Sequence, residues 1–229
     1  MPSESKFDLD KEYRSRLSSL MEEALEVYRQ YEYDDFPEGG YSVSYKRNSN
    51  WFYESPLPRF EESSRGIKEH EKLRKGTKNY FEIYKENGRI MKVVSYCESS
   101  RDVTYFAVYR GNKRFLLPFS DEWKGRYPTY IIAAEFDEGE ITKEYLVNDS
   151  QIVYRGYEKL TGSDYFVELI NYVPNGKYPI LGFESFTFSP SDEPHFSGKK
   201  AYYWDEEYSQ SRNCLTYSSE LPDHMIRVD

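Results

Sequence analysis

The sequence predicts a mainly β fold: a long antiparallel meander, forming an open curved sheet or a barrel, with an N-terminal helix packed on it. Three observations carry this expectation. From residue 79 to 188 short apolar runs alternate with turn pairs such as Asn87-Gly88, Gly111-Asn112 and Asn175-Gly176. Aromatic residues make up 18% of the chain, with 24 Tyr, 14 Phe and 3 Trp among 229 residues, too many for a disordered chain. Near the N-terminus the apolar period is instead three to four: Leu9, Tyr13, Leu17, Leu20, Ala24, Val27, Tyr28 and Tyr31 form one stripe of a helix.

The helix comes first. Asp8 or Asp10 can cap its start, because a carboxylate accepts the free backbone N–H groups there. Glu22, Glu23 and Glu26 fall on the wet side, and Phe36-Pro37 with Gly39-Gly40 end it. Tyr41, Val43 and Tyr45 then alternate at period two, turn through Asn48-Ser49-Asn50 and return as Trp51-Phe52-Tyr53, a hairpin signal. Ser55 to Pro58 breaks the pattern. Residues 59–78 are charged, with Ile67 and Leu73 as sparse anchors, and read as a short helix or an ordered loop.

Strands are expected next at 80–84, 89–97, 103–110, 113–119, 130–136, 141–147, 151–157, 165–172 and 178–188. Within 101–110, Val103, Tyr105, Ala107 and Tyr109 point one way, while Thr104, Phe106 and Val108 point the other. Both faces are apolar, so both must be covered, or the sheet must close around a filled interior. Ser189 to His195 reads as a loop, with a last hairpin from Ala201–Tyr208 and Cys214–Ser218. The chain thus divides into an N-terminal helix, hairpin and charged segment (1–78), the meander (79–188), and a C-terminal loop and hairpin (189–229) belonging to the same domain.

Some strings repeat. Tyr84 to Lys92 (YKENGRIMK) parallels Phe136 to Lys143 (FDEGEITK), and Val108-Tyr-Arg-Gly111 returns as Val153-Tyr-Arg-Gly156, in the same order. A duplicated hairpin unit or coincidence would produce this. The aromatic-x-x-Asn-Gly string at 84–93 resembles the YD-type or MORN-like β-hairpin repeats of bacterial toxin-associated proteins, and 136–143 resembles a second, degenerate unit. That resemblance implies an extended sheet and, in biology, proteins encoded beside toxins. It implies no catalytic residue.

Charge is polarised. The net charge is −9, yet residues 1–58 carry −5, residues 59–130 carry +6 and residues 131–229 carry −10. An acidic third suits a basic protein partner or long-range steering, and it repels nucleic acid. Lys113, Arg114, Trp123, Lys124 and Arg126 interleave cations with an aromatic ring, as a single-strand groove requires, but the overall acidity argues against that ligand. Mean hydropathy is −0.86 with no run of about 20 apolar residues, so no membrane helix is expected. Met1 to Asp10 has no basic leader or apolar core, which makes the cytoplasm the expected location.

Signatures of chemistry are sparse. His70, His195 and His224 lack metal-ligand spacing, no Gly-x-Ser-x-Gly elbow occurs, and Gly39-Gly40 does not open a helix. Neither a metal nor a cofactor is expected, and Cys97 and Cys214 read as thiols or a single bridge. Carboxylates abound in Glu135, Asp137, Glu138, Glu140 and Glu144, as in any chain with 40 acids. The expected function is therefore a non-enzymatic inhibitor or immunity-type protein that occludes a basic partner, with enzymatic activity left open. Its candidate contacts are Glu138, Glu140, Asp149, Tyr154, Glu158, Trp204, Asp205 and Glu206. The alternatives are a lipocalin-like barrel around a small apolar or sugar ligand, and a hydrolase using a carboxylate pair.

Overall fold

The computed structural model describes residues 8–47, 54–59, 67–98, 100–175, 180–189 and 196–201. The fold is mainly β and antiparallel, with an N-terminal helix packed on an open sheet: the strand order begins and ends on strands with a single neighbour. No barrel closes. Two compact units are formed, one from Ala24–Glu144 and the other from Met1–Glu23 with Tyr145–Asp229. Helix α1 (Asp8–Arg29) contributes residues to each.

In the unit Ala24–Glu144 the strands are β1 (Ser42–Arg47), β2 (Glu69–His70), β3 (Tyr80–Glu86), β4 (Arg89–Cys97), β5 (Ser100–Arg110), β6 (Lys113–Ser120), β7 (Gly125–Arg126), β8 (Ile131–Asp137) and the start of β9 (Glu140–Val147). They run in the order β8-β6-β5-β4-β3-β1-β2, with β7 folded back on β6. Two of the hairpins turn on two residues in the left-handed region, Asn87 (φ 49) with Gly88 (φ 78) and Glu138 (φ 47) with Gly139 (φ 84). This is the twist-matched turn that Asn-Gly favours, and it explains why β3–β4 was legible as a hairpin.

Strand β1 pairs with β3 in the register Val43↔Tyr84 and, through Tyr45 and Lys46 only, with β2. The expected return strand Trp51–Tyr53 lies outside the described residues. So do residues 60–66, while Pro56 to Arg59 makes a helical turn and the rest of 67–79 is loop around β2.

Both faces of the central strands are buried, as the apolar alternation requires. Thr104, Phe106, Phe115, Leu117 and Phe119 share one face, where Phe106 stacks on Phe36 at 4.4 Å and meets Tyr33 edge-on at 5.4 Å. Tyr109, Arg114 and Ala134 align on the other, where the segment Glu54–Arg59 covers Arg114. A segment that would otherwise read as a linker thus closes the second face.

Helix α1 stops at Arg29, short of the Phe36–Gly40 breakers, and a 3-10 turn (Tyr33–Asp35) follows. The reason lies in β7. Arg126 donates to the carbonyls of Tyr28 (3.3 Å), Arg29 (3.0 Å) and Tyr31 (3.3 Å) and pairs with Glu32 at 2.8 Å. A guanidinium fork thereby satisfies carbonyls that a helix end leaves open.

In the other unit, the end of β9 turns at Asn148 into β10 (Ile152–Lys159), followed by β11 (Tyr165–Tyr172), β12 (Ile180–Phe188) and β13 (Phe196–Ala201), each antiparallel to the last. Tyr13 donates to Glu168 at 2.7 Å, Ser18 meets the Tyr172 hydroxyl at 3.1 Å, and Arg16 lies over the Tyr154 ring at 4.9 Å. These residues place one face of α1 on β10 and β11. Val153 to Gly156 lies inside β10, whereas Val108 to Gly111 ends β5 and opens a turn, so the repeated string sits in two different local structures.

The tyrosine surplus has a physical account. Hydroxyls of Tyr13, Tyr33, Tyr84 and Tyr96 donate to Glu168, Asp121 and Glu82, and those of Tyr28, Tyr41 and Tyr109 donate to backbone carbonyls. The rings fill the sheet faces while the hydroxyls neutralise polar groups there, the division of labour that suits tyrosine to half-burial. No helix among the described residues is long and apolar enough to cross a membrane.

Candidate functional site

Among the described residues most large aromatics are packed away, but Trp123 is 56% exposed. It sits in the turn between β6 and β7, where Lys124 takes a left-handed conformation (φ 49). Its indole stacks on Tyr127 at 5.8 Å with the planes 17° apart. It also leans on Gly125, where a Cβ would lie 2.7 Å from the indole Cδ1. The ring is thus seated by a glycine and a tyrosine, with much of its surface left to solvent.

The indole borders a cleft of about 460 Å³ lined by Arg101, Asp102, Ser120, Asp121, Glu122 and Tyr127 as well. Three carboxylates face one guanidinium. Asp121 is fully committed: Tyr33 and Thr104 donate to it, the latter at 2.9 Å, and Arg101 pairs with it. Burial pushes the Asp121 carboxyl up, but these donors and the Arg101 charge outweigh burial and hold it below the usual range. Burial also raises the Tyr127 phenol, helped by its hydrogen bond to Asp102. Glu122 has no side-chain partner among the described residues. The cleft therefore offers an aromatic platform beside two carboxylates, Asp102 and Glu122, with capacity to spare.

A second polar cluster is buried. Arg114, 3% exposed, pairs with Glu54 and lies over the Phe136 ring at 5.6 Å. Glu144, fully buried, accepts from the Glu54 backbone N–H at 3.2 Å and from the Ser55 hydroxyl. Here two carboxylates do share one neighbourhood, but each is occupied by the guanidinium, an amide or a hydroxyl. The arrangement pins the Glu54–Arg59 segment.

The residues expected as contacts are placed as follows. Glu138 and Glu140 are exposed at the β8–β9 turn, Asp149 in the turn before β10, and Glu158 near the end of β10. Tyr154 is 2% exposed, with its ring between Arg16 and the backbone of Gly156, so it offers no surface to a partner. Trp204, Asp205 and Glu206 lie outside the described residues. The cations expected to interleave with Trp123 are internally engaged: Lys113 with Glu135 (3.5 Å), Arg114 with Glu54, Lys124 with Asp34 (3.7 Å), Arg126 with the end of α1. Among the described residues no group of three potential metal ligands gathers, and Cys97 is an exposed free thiol.

The sequence reading passed over Asp102 and Glu122, although Trp123 stood in view. A two-residue strand such as β7 leaves no period to read, so nothing local told that Trp123 stays out while Tyr127 turns in. No family model, curated protein or solved structure matches the chain.

Proposed function

We propose that this protein is a non-enzymatic interaction protein that occludes a basic partner, and that it grips a Lys or Arg side chain of that partner in the Trp123 cleft. The observation that carries the reading is the juxtaposition of the exposed, seated indole with Asp102 and Glu122. A cation over an indole face gains about 0.5–2 kcal/mol, and a neighbouring carboxylate adds a charge-assisted hydrogen bond. The excess of carboxylates disfavours an anionic ligand. Trp is also the residue most enriched where single side chains dominate binding.

A second surface for the same partner class is favoured by the exposure of Glu138, Glu140, Asp149 and Glu158 in the acidic third. The ligand-filled barrel loses its premise, because the sheet is open.

Titration of the full chain with an Arg-rich peptide, followed by indole fluorescence and calorimetry, tests the reading. Trp123→Ala should weaken binding about tenfold, which corresponds to about 1.4 kcal/mol. Asp102→Asn and Glu122→Gln should each weaken it severalfold, and an acidic peptide should not bind there. Unchanged affinity in Trp123→Ala, with loss in a variant neutralised at Glu138, Glu140, Asp149 and Glu158, would move the contact to the acidic third.

A further inference from the structure

A concave surface of opposite sign lies on the same unit, at the β1–β2 edge. The loop that follows β2 curls back over the end of β1 and encloses about 550 Å³. Its form is held by a turn in which Thr77 N–H donates to the Arg74 carbonyl at 3.2 Å, with Gly76 at φ 85. Asn79 Oδ1 then accepts from the Glu98 backbone N–H at 2.7 Å, which ties the loop to the β4–β5 turn. These bonds give the cleft a built wall.

The charge of the lining is almost wholly positive, seven Lys and Arg against Glu98. Arg47, Lys68, Lys72, Arg74 and Lys75 all face it, and among the described residues none has an acidic partner within salt-bridge distance. Lys46 and Lys78 add two more charges; Lys78 pairs with Glu98 at 2.9 Å, and Lys46 lies within electrostatic reach of Glu69. Ile67, Leu73, His70, Thr77, Asn79 and the Tyr45 ring line the rest of it, with Gly76 at the turn. Such crowding of like charge raises the free energy of the empty protein, and here it occurs in a chain of net charge −9. A ligand that brings concentrated negative charge relieves it.

We propose that this cleft binds a compact polyphosphorylated small molecule, one carrying three or more phosphate groups within nucleotide dimensions. The enclosed volume falls within the range of about 300–1,000 Å³ typical of small-ligand sites. Five cations without an acidic partner among the described residues are crowded into this one cleft. Adjacent phosphates in a chain match that density, whereas carboxylates on an extended peptide alternate between faces about 7 Å apart. A long nucleic acid would have to run on past the cleft over a chain of net charge −9, and among the described residues Tyr45 and His70 are the rings that line it, too few for a row of stacked bases.

The test is calorimetric titration of the full chain with sodium tripolyphosphate, EDTA present, beside a hexaglutamate peptide and an oligothymidylate. Saturable binding of tripolyphosphate is expected, at least tenfold tighter than hexaglutamate. It should weaken about tenfold as salt rises from about 50 to about 300 mM, because screening shortens the reach of every charge. The variant Lys72→Glu/Arg74→Glu/Lys75→Glu should abolish binding, and the single Lys72→Gln and Lys68→Gln changes should weaken it severalfold with the circular dichroism unchanged. Trp123→Ala should leave it unaltered, which separates this site from the proposed partner cleft. No saturable tripolyphosphate binding, tighter binding of either polymer, or full affinity in the single and triple variants would overturn the proposal.

Discussion

The Tyr33 hydroxyl donates to the Asp121 carboxylate, fastening the turn after α1 to the end of β6. Asp121 also receives Thr104 and Arg101, so one carboxylate secures three elements of the chain. Its pKa is held below the ordinary carboxylate value despite the opposing effect of burial. A depressed folded-state pKa contributes stability that is present above the unfolded value and lost as pH falls through the folded one. Asp121→Asn should therefore lower stability at neutral pH by about 1.5–3 kcal/mol, the usual worth of hydrogen bonds to a charged group. It should also flatten the stability curve below about pH 4, where ordinary carboxyls titrate. Urea melts from pH 2 to 7 check both outcomes, and an acid limb identical to that of the parent protein would count against the linkage.

The same bond governs the alkaline side. Burial and the hydrogen bond to Asp121 push the Tyr33 phenol up to about 12. Its contribution is complete below the unfolded value near 10 and is lost as pH rises through the folded one. Tyr33→Phe should shift the alkaline unfolding limb, soften the acid limb in part because its hydroxyl helps hold Asp121 low, and remove one late-titrating group from the phenolate absorbance.

Arg114 tests how the second face of the sheet is closed. Its guanidinium is buried against Glu54, and among the described residues its Nε has no hydrogen-bond partner. Removing one member of a buried pair typically costs about 3–5 kcal/mol, because the other charge is left without compensation. Glu54→Ala is expected to cost that much in thermal or urea melts. Arg114→Met combined with Glu54→Gln should recover part of it, since neither member of the pair is then left charged, while buried Glu144 loses the nearby guanidinium. If the double variant is as unstable as the single one, packing rather than charge holds the 54–59 segment.

How far the sequence announced this fold depends on whether the signal is local. The hairpins around Asn87-Gly88 and Glu138-Gly139 are local: turn residues and flanking alternation sit within a dozen positions, so nine strands from β3 to β12 are readable to within a few residues. Two-faced burial of 103–108 follows from alternation alone. The two-residue strands β2 and β7 carry no period and owe their pairing to β1 and β6. The end of α1 depends on Arg126, which is 97 residues from Arg29. Tyr154 shows the same limit at a candidate site residue. Its place in the acidic C-terminal third suggests an exposed tyrosine, and the ring is instead covered by the helix residue Arg16.

Glu138 makes a sharper case, because it occupies a left-handed position that suits Asn or Gly better. A left-handed residue with a side chain costs about 1–2 kcal/mol, less for Asn, whose short polar side chain tolerates the region. Glu138→Asn should raise the melting temperature, and Gly88→Ala in the equivalent turn should lower stability by about 1–2 kcal/mol although nothing lies within 4 Å of its added methyl. If neither variant moves the melting temperature, backbone strain in these turns is not felt by the folded state.

Gly125 offers the closest test of the Trp123 cleft, since it alters the seat of the indole without removing the indole. A Cβ at 125 would stand 2.7 Å from Cδ1 and 3.1 Å from Nε1, and the ring must move away. Backbone strain is not at issue, because the φ of Gly125 lies outside the left-handed region. The expected signature of Gly125→Ala is a melting temperature close to that of the parent protein, a changed indole emission, and an affinity for the Arg-rich peptide between those of the parent and Trp123→Ala. An exposed indole makes few stabilising contacts to lose, whereas a platform acts only when it is aimed, and truncating preorganisation lowers affinity without new clashes at the ligand. Equal peptide affinity in Gly125→Ala and the parent protein would mean that the seat made by Gly125 and Tyr127 does not position the ring for binding.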